Sequence, residues 1–220
     1  MNKAFGNDDA RLSEYVHRVF APEDALLEGV RARQAAAGLP DIQVAALDGL
    51  HLTVLARAVG AKRAVEVGTL GGYSGVCLLR GMGEGASLHT FELEERHAAV
   101  ARETFRLAGL EARAHVHVGR ALERLREVEP FAPFDLVFID ADKESYPAYA
   151  EWAAEHLRVG GVVLGDNAFL FGRIVDETTG DGAERIAAMR RFHGMLAGGG
   201  RFAGTLLPTG EGLALGVKVR

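Results

Sequence analysis

Cysteine is nearly absent from this chain: 220 residues include one, Cys77. A lone thiol cannot close an internal disulfide, so the fold must rest on its core, and a reducing, cytoplasmic setting is expected. Proline is scarce as well, at 6 residues, and the 28 glycines follow no Gly-X-Y period, which excludes a collagen-like rod. No apolar run approaches the roughly 18 residues of a membrane span. Met1–Arg11 has no apolar stretch of the signal-peptide kind, and no membrane association is expected. Basic residues are outnumbered, 25 Lys and Arg against 30 Asp and Glu, for a formal net charge of −5. Nucleic-acid binding normally needs a basic stripe, so no nucleic-acid partner is expected.

What is present is a globular balance, 48% hydrophobic against 25% charged, with length enough for one large core. Leu12, Val16, Val19 and Phe20 recur at helical spacing. Pro22-Glu-Asp reads as the first turn of a second helix through about Ala37, and Gln43–Val59 reads as a third. From Ala64 the pattern changes to short apolar runs at Ala64–Val67, Leu88–Phe91, Ala114–Val118, Phe134–Ile139 and Gly161–Leu164. Amphipathic stretches at about 73–82, 94–108, 121–127 and 147–157 separate them. Strand-helix alternation with continuous apolar strands predicts a parallel sheet covered on both faces. After a helix at about 184–197, Phe202–Leu207 and Leu213–Val219 flank a turn and read as a hairpin, so one end of the sheet should carry an antiparallel strand.

The first candidate site is a glycine loop. Ala64-Val-Glu66-Val-Gly68-Thr69-Leu-Gly71-Gly72-Tyr-Ser74 runs from strand through turn to helix start. Glycine permits positive φ and close approach of a ligand to the backbone, and a helix N-terminus offers unpaired N–H groups to an anion. Glu92 closes the next strand, where a carboxylate can accept both hydroxyls of a ribose. Gly119-Arg-Ala121, at the end of the third strand, lies where adenine rests on such sheets. These features together predict a nucleoside site and leave the nucleoside open. The loop reads E-x-G-x-x-x-G and lacks the G-x-G-x-x-G of dinucleotide binding.

The second is an acidic edge. Asp140 ends the fourth strand, and Asp166 with Asn167 ends the fifth. Neighbouring strands lie roughly 4.8 Å apart, so these oxygens can converge on one ion. An oxygen-only set suits a hard cation such as Mg²⁺ or Ca²⁺. Lys143, three residues past Asp140, is either a solvated lysine or a base beside the ion.

Taken in order, Glu66-Val-Gly68-Thr-x-x-Gly72-Tyr-Ser74, Phe91-Glu92, Gly119-Arg-Ala121, Phe138-Ile-Asp140-Ala-Asp142-Lys143, Gly165-Asp166-Asn167 and Thr205-Leu-Leu-Pro208-x-Gly210-x-Gly212-Leu match a known pattern. Over about residues 40 to 219 the chain resembles the cation-dependent O-methyltransferases of the caffeoyl-coenzyme A and catechol type, particularly small bacterial members. The resemblance implies a Rossmann-like class I methyltransferase fold, seven strands mostly parallel with the last antiparallel and helices on both faces. It implies one domain over 1–220, with helices in 1–60 covering the site and supplying a homodimer contact, and the core in 61–220. It implies S-adenosylmethionine as methyl donor, held at the positions of Val44, Glu66, Gly68, Thr69, Ser74, Glu92, Gly119, Ala121 and Asp140, with Glu66 lining the donor pocket. Asp140, Asp166 and Asn167 would bind the divalent cation, Mg²⁺ first, with Ca²⁺ or Mn²⁺ as alternatives. Asp140 and Lys143 would be catalytic, Lys143 as general base, and the acceptor an aromatic vicinal diol.

Relatives commonly carry Trp four residues after the metal-binding Asp, where this chain has Leu170 between Phe169 and Phe171, which implies a different acceptor pocket. The acceptor's entry wall is expected from Met1–Pro40 and Phe169–Gly182. His115 and His117 read as strand histidines without a third ligand, Arg190-Arg191 as a solvated face, and Tyr146, Tyr149 and Trp152 as packing, with Tyr146 able to reach the pocket mouth. A nicotinamide-dependent oxidoreductase and a donor-binding protein without chemistry are the competing readings. The first leaves the acidic edge unexplained, and the second leaves Lys143 unexplained.

Overall fold

A computed structural model describes residues 9–180, 182–198 and 200–220. The first eight residues of the expected entry wall, together with Asp181 and Gly199, lie outside the described residues.

Three helices lead the chain. The first, α1 (Ala10–Phe20), is capped by the Asp9 carboxylate, which accepts from the Arg11 backbone N–H. The second, α2 (Ala25–Ala36), starts three residues later than Pro22 because Asp24 caps it, accepting from Leu27 N at 3.1 Å. The third, α3 (Ala46–Ala58), also starts late: Ala45 is extended, with ψ 154°. The residues just before it run along a cavity instead of continuing the helix.

The sheet follows, strands alternating with helices up to a final hairpin: β1 (Arg63–Val67), α4 (Tyr73–Gly81), β2 (Ser87–Glu92), α5 (Glu95–Leu107), β3 (Ala114–Val118), α6 (Ala121–Arg124), β4 (Phe134–Ile139), α7 (Tyr146–His156), β5 (Leu157–Gly165), α8 (Ala183–Leu196), β6 (Phe202–Leu207) and β7 (Leu213–Lys218). The stretch expected as one helix over 121–127 is a single α-turn followed by 3-10 turns. Strand order is β3-β2-β1-β4-β5-β7-β6. Strands β1 to β5 pair in parallel, and β7 inserts antiparallel between β5 and β6. The hairpin therefore carries its reversed strand one place in from the edge.

Continuous apolar strands are explained by burial on both faces. Val65, Val67, Val137 and Ile139 join Tyr146, Met189 and Phe192 from α7 and α8. Their strand neighbours Ala64, Leu136 and Phe138 join Leu52, Leu79 and Phe105 from α3, α4 and α5. At the carboxyl end of the sheet a run of backbone bonds steps from strand to strand: Gly119 N to Glu92 O, Gly68 N to Phe91 O, Asp140 N to Val67 O, and Asp166 N to Ile139 O, at 2.8–3.0 Å. This staircase sets five strand ends at one level, where open α/β sheets bind ligands.

Candidate active site

A cavity of about 1140 Å³ opens above that staircase. Val44, Gly68, Thr69, Ser74, Glu92, Gly119 and Ala121 line it, as do Asp140, Lys143, Asp166 and Asn167. The loop after β1 turns at Gly68, with φ +95°, and α4 starts from Gly72, with φ +88°. Glu92 is 7% exposed, and its Oε2 accepts from Leu70 N at 2.7 Å and Thr69 N at 3.3 Å, while Oε1 accepts from Glu94 N at 3.0 Å. A carboxylate has about four acceptor sites, so these bonds fix the glycine loop and leave capacity toward the cavity.

Glu66 is placed differently from its expected position in the pocket wall. It is wholly buried behind the loop, where Oε2 accepts from Thr90 Oγ1 at 2.6 Å and Oε1 has no partner. Thr90 Oγ1 in turn meets Thr69 Oγ1 at 2.5 Å, so Glu66 reaches the cavity through two hydroxyls. Burial pushes its carboxyl up from 4.5 to about 7, and the nearby charges of Asp140 and Glu92 add to the rise. Folding then retains a proton that the unfolded chain loses. The stabilisation is full below pH about 4.5 and is lost as pH rises through about 7, a swing of roughly 3 kcal/mol. The thermal stability of the wild type should therefore fall between pH 5 and 8 relative to Glu66→Gln, which cannot titrate. Parallel pH profiles for the two proteins would show that Glu66 titrates as an ordinary carboxylate.

The acidic edge is assembled by register. Ile139 pairs with Gly165, so Asp140 and Asp166 follow side by side. Asp166 is 5% exposed, and burial first and Asp140 second hold its carboxyl above the usual range. Asn167 follows in the left-handed region at φ +52°, a conformation Asn tolerates better than most side chains. Lys143 begins a 3-10 turn and donates to Asp140 Oδ1 at 3.1 Å and to Tyr146 OH at 2.6 Å. Among the described residues no group of three or more His, Cys, Asp or Glu is placed to hold a metal. The candidate set has two carboxylates, with an amide as its third donor.

Several residues stand apart from their expected places. Tyr146 is fully buried behind the cavity, away from its mouth, because its ring packs edge-on against Phe192 at 5.2 Å. Among the described residues, none of Met1–Pro40 lines the cavity; that wall comes from residues 41–45, Phe171 and the β6–β7 turn. Leu170 is buried at 5%, while Phe171 lines the cavity at 75% exposure, so the aromatic ring sits one residue later than in the family pattern. His115 and His117 pack with His89 of β2, which approaches His117 Nε2 to 3.1 Å and stacks on His115, and among the described residues the three form no metal-holding group. Arg190 ties Ile174 O and Asp176 O.

Two acids escaped the sequence reading. Asp48 is 4% exposed and lines the cavity, its Oδ1 lacking a hydrogen bond but 3.6 Å from His51 Nδ1, and Glu211 presents a buried Oε2 without a hydrogen bond there. Asp48 did leave a signal. It occupies the buried face of α3 with Leu52 and Ala56 at four-residue spacing, where an acid is out of place unless it serves a site.

This combination, a nucleoside-shaped glycine loop beside an acid-lined pocket on one sheet edge, defines a donor-dependent group transferase. A family model described as O-methyltransferase matches residues 17–219. The chain is 43% identical over 173 residues, 79% of its length and 77% of the relative's, to a catechol O-methyltransferase of Mycobacterium tuberculosis. It is 34% identical over 198 residues, 89% of each chain, to a catechol O-methyltransferase of Niastella koreensis. Among solved structures, an O-methyltransferase from Bacillus cereus in complex with SAH superposes with TM-score 0.87 at 39% identity, covering 94% of this chain and 97% of that one. One from Streptomyces achromogenes in complex with SAM gives 0.87 at 35%, covering 96% of each. The chain belongs to the O-methyltransferase family and is an S-adenosylmethionine-dependent O-methyltransferase. The nicotinamide reading is thereby set aside. No helix among the described residues is long and apolar enough to cross a membrane.

Proposed function

We propose that this enzyme methylates one hydroxyl of an aromatic vicinal diol and needs a divalent cation, Mg²⁺ first, to do so. The observation that carries the reading is Asp166: a carboxylate 5% exposed, set beside Asp140 and Asn167 at a cavity wall and held out of its usual range by burial. A buried acid beside another acid is costly unless a cation compensates it, and the oxygen-only donor set suits a hard ion. The names of the M. tuberculosis and N. koreensis relatives agree with a catechol acceptor.

In this reading Gly68, Thr69 and Ser74 receive the methionine end of the donor along with Val44, Glu92 receives the ribose, and Gly119 and Ala121 receive the adenine. Asp140, Asp166 and Asn167 would hold the cation, which when bound would supply Lewis acidity that lowers the pKa of the reacting hydroxyl. Lys143 takes the proton from that hydroxyl. The oxygen attacks the sulfonium methyl in line, the carbon–sulfur bond breaks, and its electron pair stays on sulfur. Phe171 offers the acceptor ring an apolar wall, and the rigid strand ends supply orientation. The exposed apolar face of α1, with Leu12, Tyr15, Val19 and Phe20, is read as the homodimer contact. The single buried thiol of Cys77 agrees with a cytoplasmic setting.

Labelled S-adenosylmethionine with a panel of catechols and monophenols tests the reading. Label should appear on a catechol oxygen with Mg²⁺ and vanish with EDTA. Transfer that survives EDTA removes the cation role, and monophenols that match catechols remove the chelated diol.

A further inference from the structure

Tyr146 has no part in the chemistry described so far, yet its hydroxyl lies at the junction of the acidic edge. The oxygen is 2.6 Å from Lys143 Nζ, 3.0 Å from Ile139 O and 3.0 Å from Asp166 O. The side chain is fully buried, with Phe192 edge-on to its ring and Gly165 leaving room beside it. Donor and acceptor arithmetic fixes the roles. Both carbonyls can only accept, so the single phenolic proton is committed to them, and toward Lys143 the phenol oxygen can only accept.

The consequence falls on Lys143. Its Nζ donates to Asp140 Oδ1 at 3.1 Å and to Tyr146 OH at 2.6 Å. Lys143 also lines the cavity. With Asp140 alone, Nζ would be held at one point and the end of the side chain could swing aside.

We propose that Tyr146 is a positioning residue that acts through Lys143, giving Nζ a second fixed partner so that it is held in place for the acceptor hydroxyl. This rests on Lys143 being the general base. The same hydroxyl bridges the carbonyls at the ends of β4 and β5, so its position is set by the strands that carry Asp140 and Asp166. The base is thus aligned to the edge that presents the substrate.

The test measures single-turnover methyl transfer at saturating donor and Mg²⁺ for wild type, Tyr146→Phe, Lys143→Met and the double variant. General-base catalysis is typically worth about 10² to 10⁴-fold, and Lys143→Met should lose that. Tyr146→Phe should slow transfer about 10- to 100-fold, a fraction of the base's whole contribution, with the KM of donor and acceptor little changed. The double variant should be no slower than Lys143→Met. Multiplied losses in the double variant would overturn the proposal, as would a Tyr146→Phe defect confined to KM or to Mg²⁺ affinity, the signature of a tie between strands. Full activity in Lys143→Met would instead remove the base reading, and the proposal with it. Donor calorimetry and thermal unfolding check that Tyr146→Phe folds. If it does not fold, nitrogen-15 spectra of the wild type decide: a slowly exchanging Lys143 amine supports the clamp, and a freely exchanging one overturns it.

Discussion

Asp166→Ala is expected to lower kcat by about 10³-fold or more and to abolish the response to Mg²⁺, while donor affinity stays within about twofold. A divalent cation that polarises a reacting oxygen contributes several kcal/mol at the transition state, and about 4 kcal/mol corresponds to a thousandfold. Asp166 is the most deeply buried of the three candidate ligands, so neither Asp140 nor Asn167 can take over its direction of approach. Glu92, Gly119 and Ala121, the positions expected to hold the donor, lie at the ends of β2 and β3 and the start of α6, across the sheet from β5. The metal-free variant should unfold no earlier than wild type, because the substitution removes a buried carboxylate held against Asp140. Initial rates across a Mg²⁺ series, with donor calorimetry alongside, make the comparison. A variant that keeps both its rate and its Mg²⁺ response would sink the cation site, and one that loses donor binding in step would show that Asp166 supports the fold of the cavity.

That edge was readable before any coordinates, and the reason is strand geometry. An acid at the last position of an apolar parallel strand or directly after it goes to the carboxyl edge, and Glu92, Asp140 and Asp166 all obey. Glu66 shows where the logic stops. It lies within its strand, one residue before Val67, so strand parity sends its side chain to a face of the sheet and α4 closes over it. The same limit applies to helix starts. Apolar spacing carries α3 back to Gln43, yet Ala45 is extended and the chain there belongs to the cavity wall. Aromatic placement was equally hidden, because Leu170 and Phe171 both adopt positive φ, +50° and +55°, and no periodicity rule anticipates which of the two faces the site. The three histidines of β2 and β3 meet across a strand pair, a contact set by the His89–His115 register and invisible to spacing within one strand.

Gly68→Ala should be the most damaging single-methyl change in the protein, because one atom would strike both halves of the site. A Cβ there would lie 1.9 Å from Asp140 O and 2.8 Å from its carbonyl carbon, and both are backbone with no side chain to swing away. Asp140 N is meanwhile bonded to Val67 O at 2.8 Å, so the end of β4 cannot retreat without breaking the staircase that also sets Gly68 N on Phe91 O. The positive φ of +95° adds backbone strain to the collision. Gly85→Ala separates the two terms: its φ is also positive, +71°, yet a Cβ there meets nothing within 4 Å. Strain alone should cost Gly85→Ala about 1–2 kcal/mol, whereas Gly68→Ala should lose about 4 kcal/mol or more, the range reached by overpacking in a core. Urea unfolding gives both values, and calorimetry should find S-adenosylmethionine binding lost in Gly68→Ala and kept in Gly85→Ala. Equal losses in the two variants, with donor binding retained in both, would mean that the loop has room to move and that the close approach of Gly68 to Asp140 is not what sets the site.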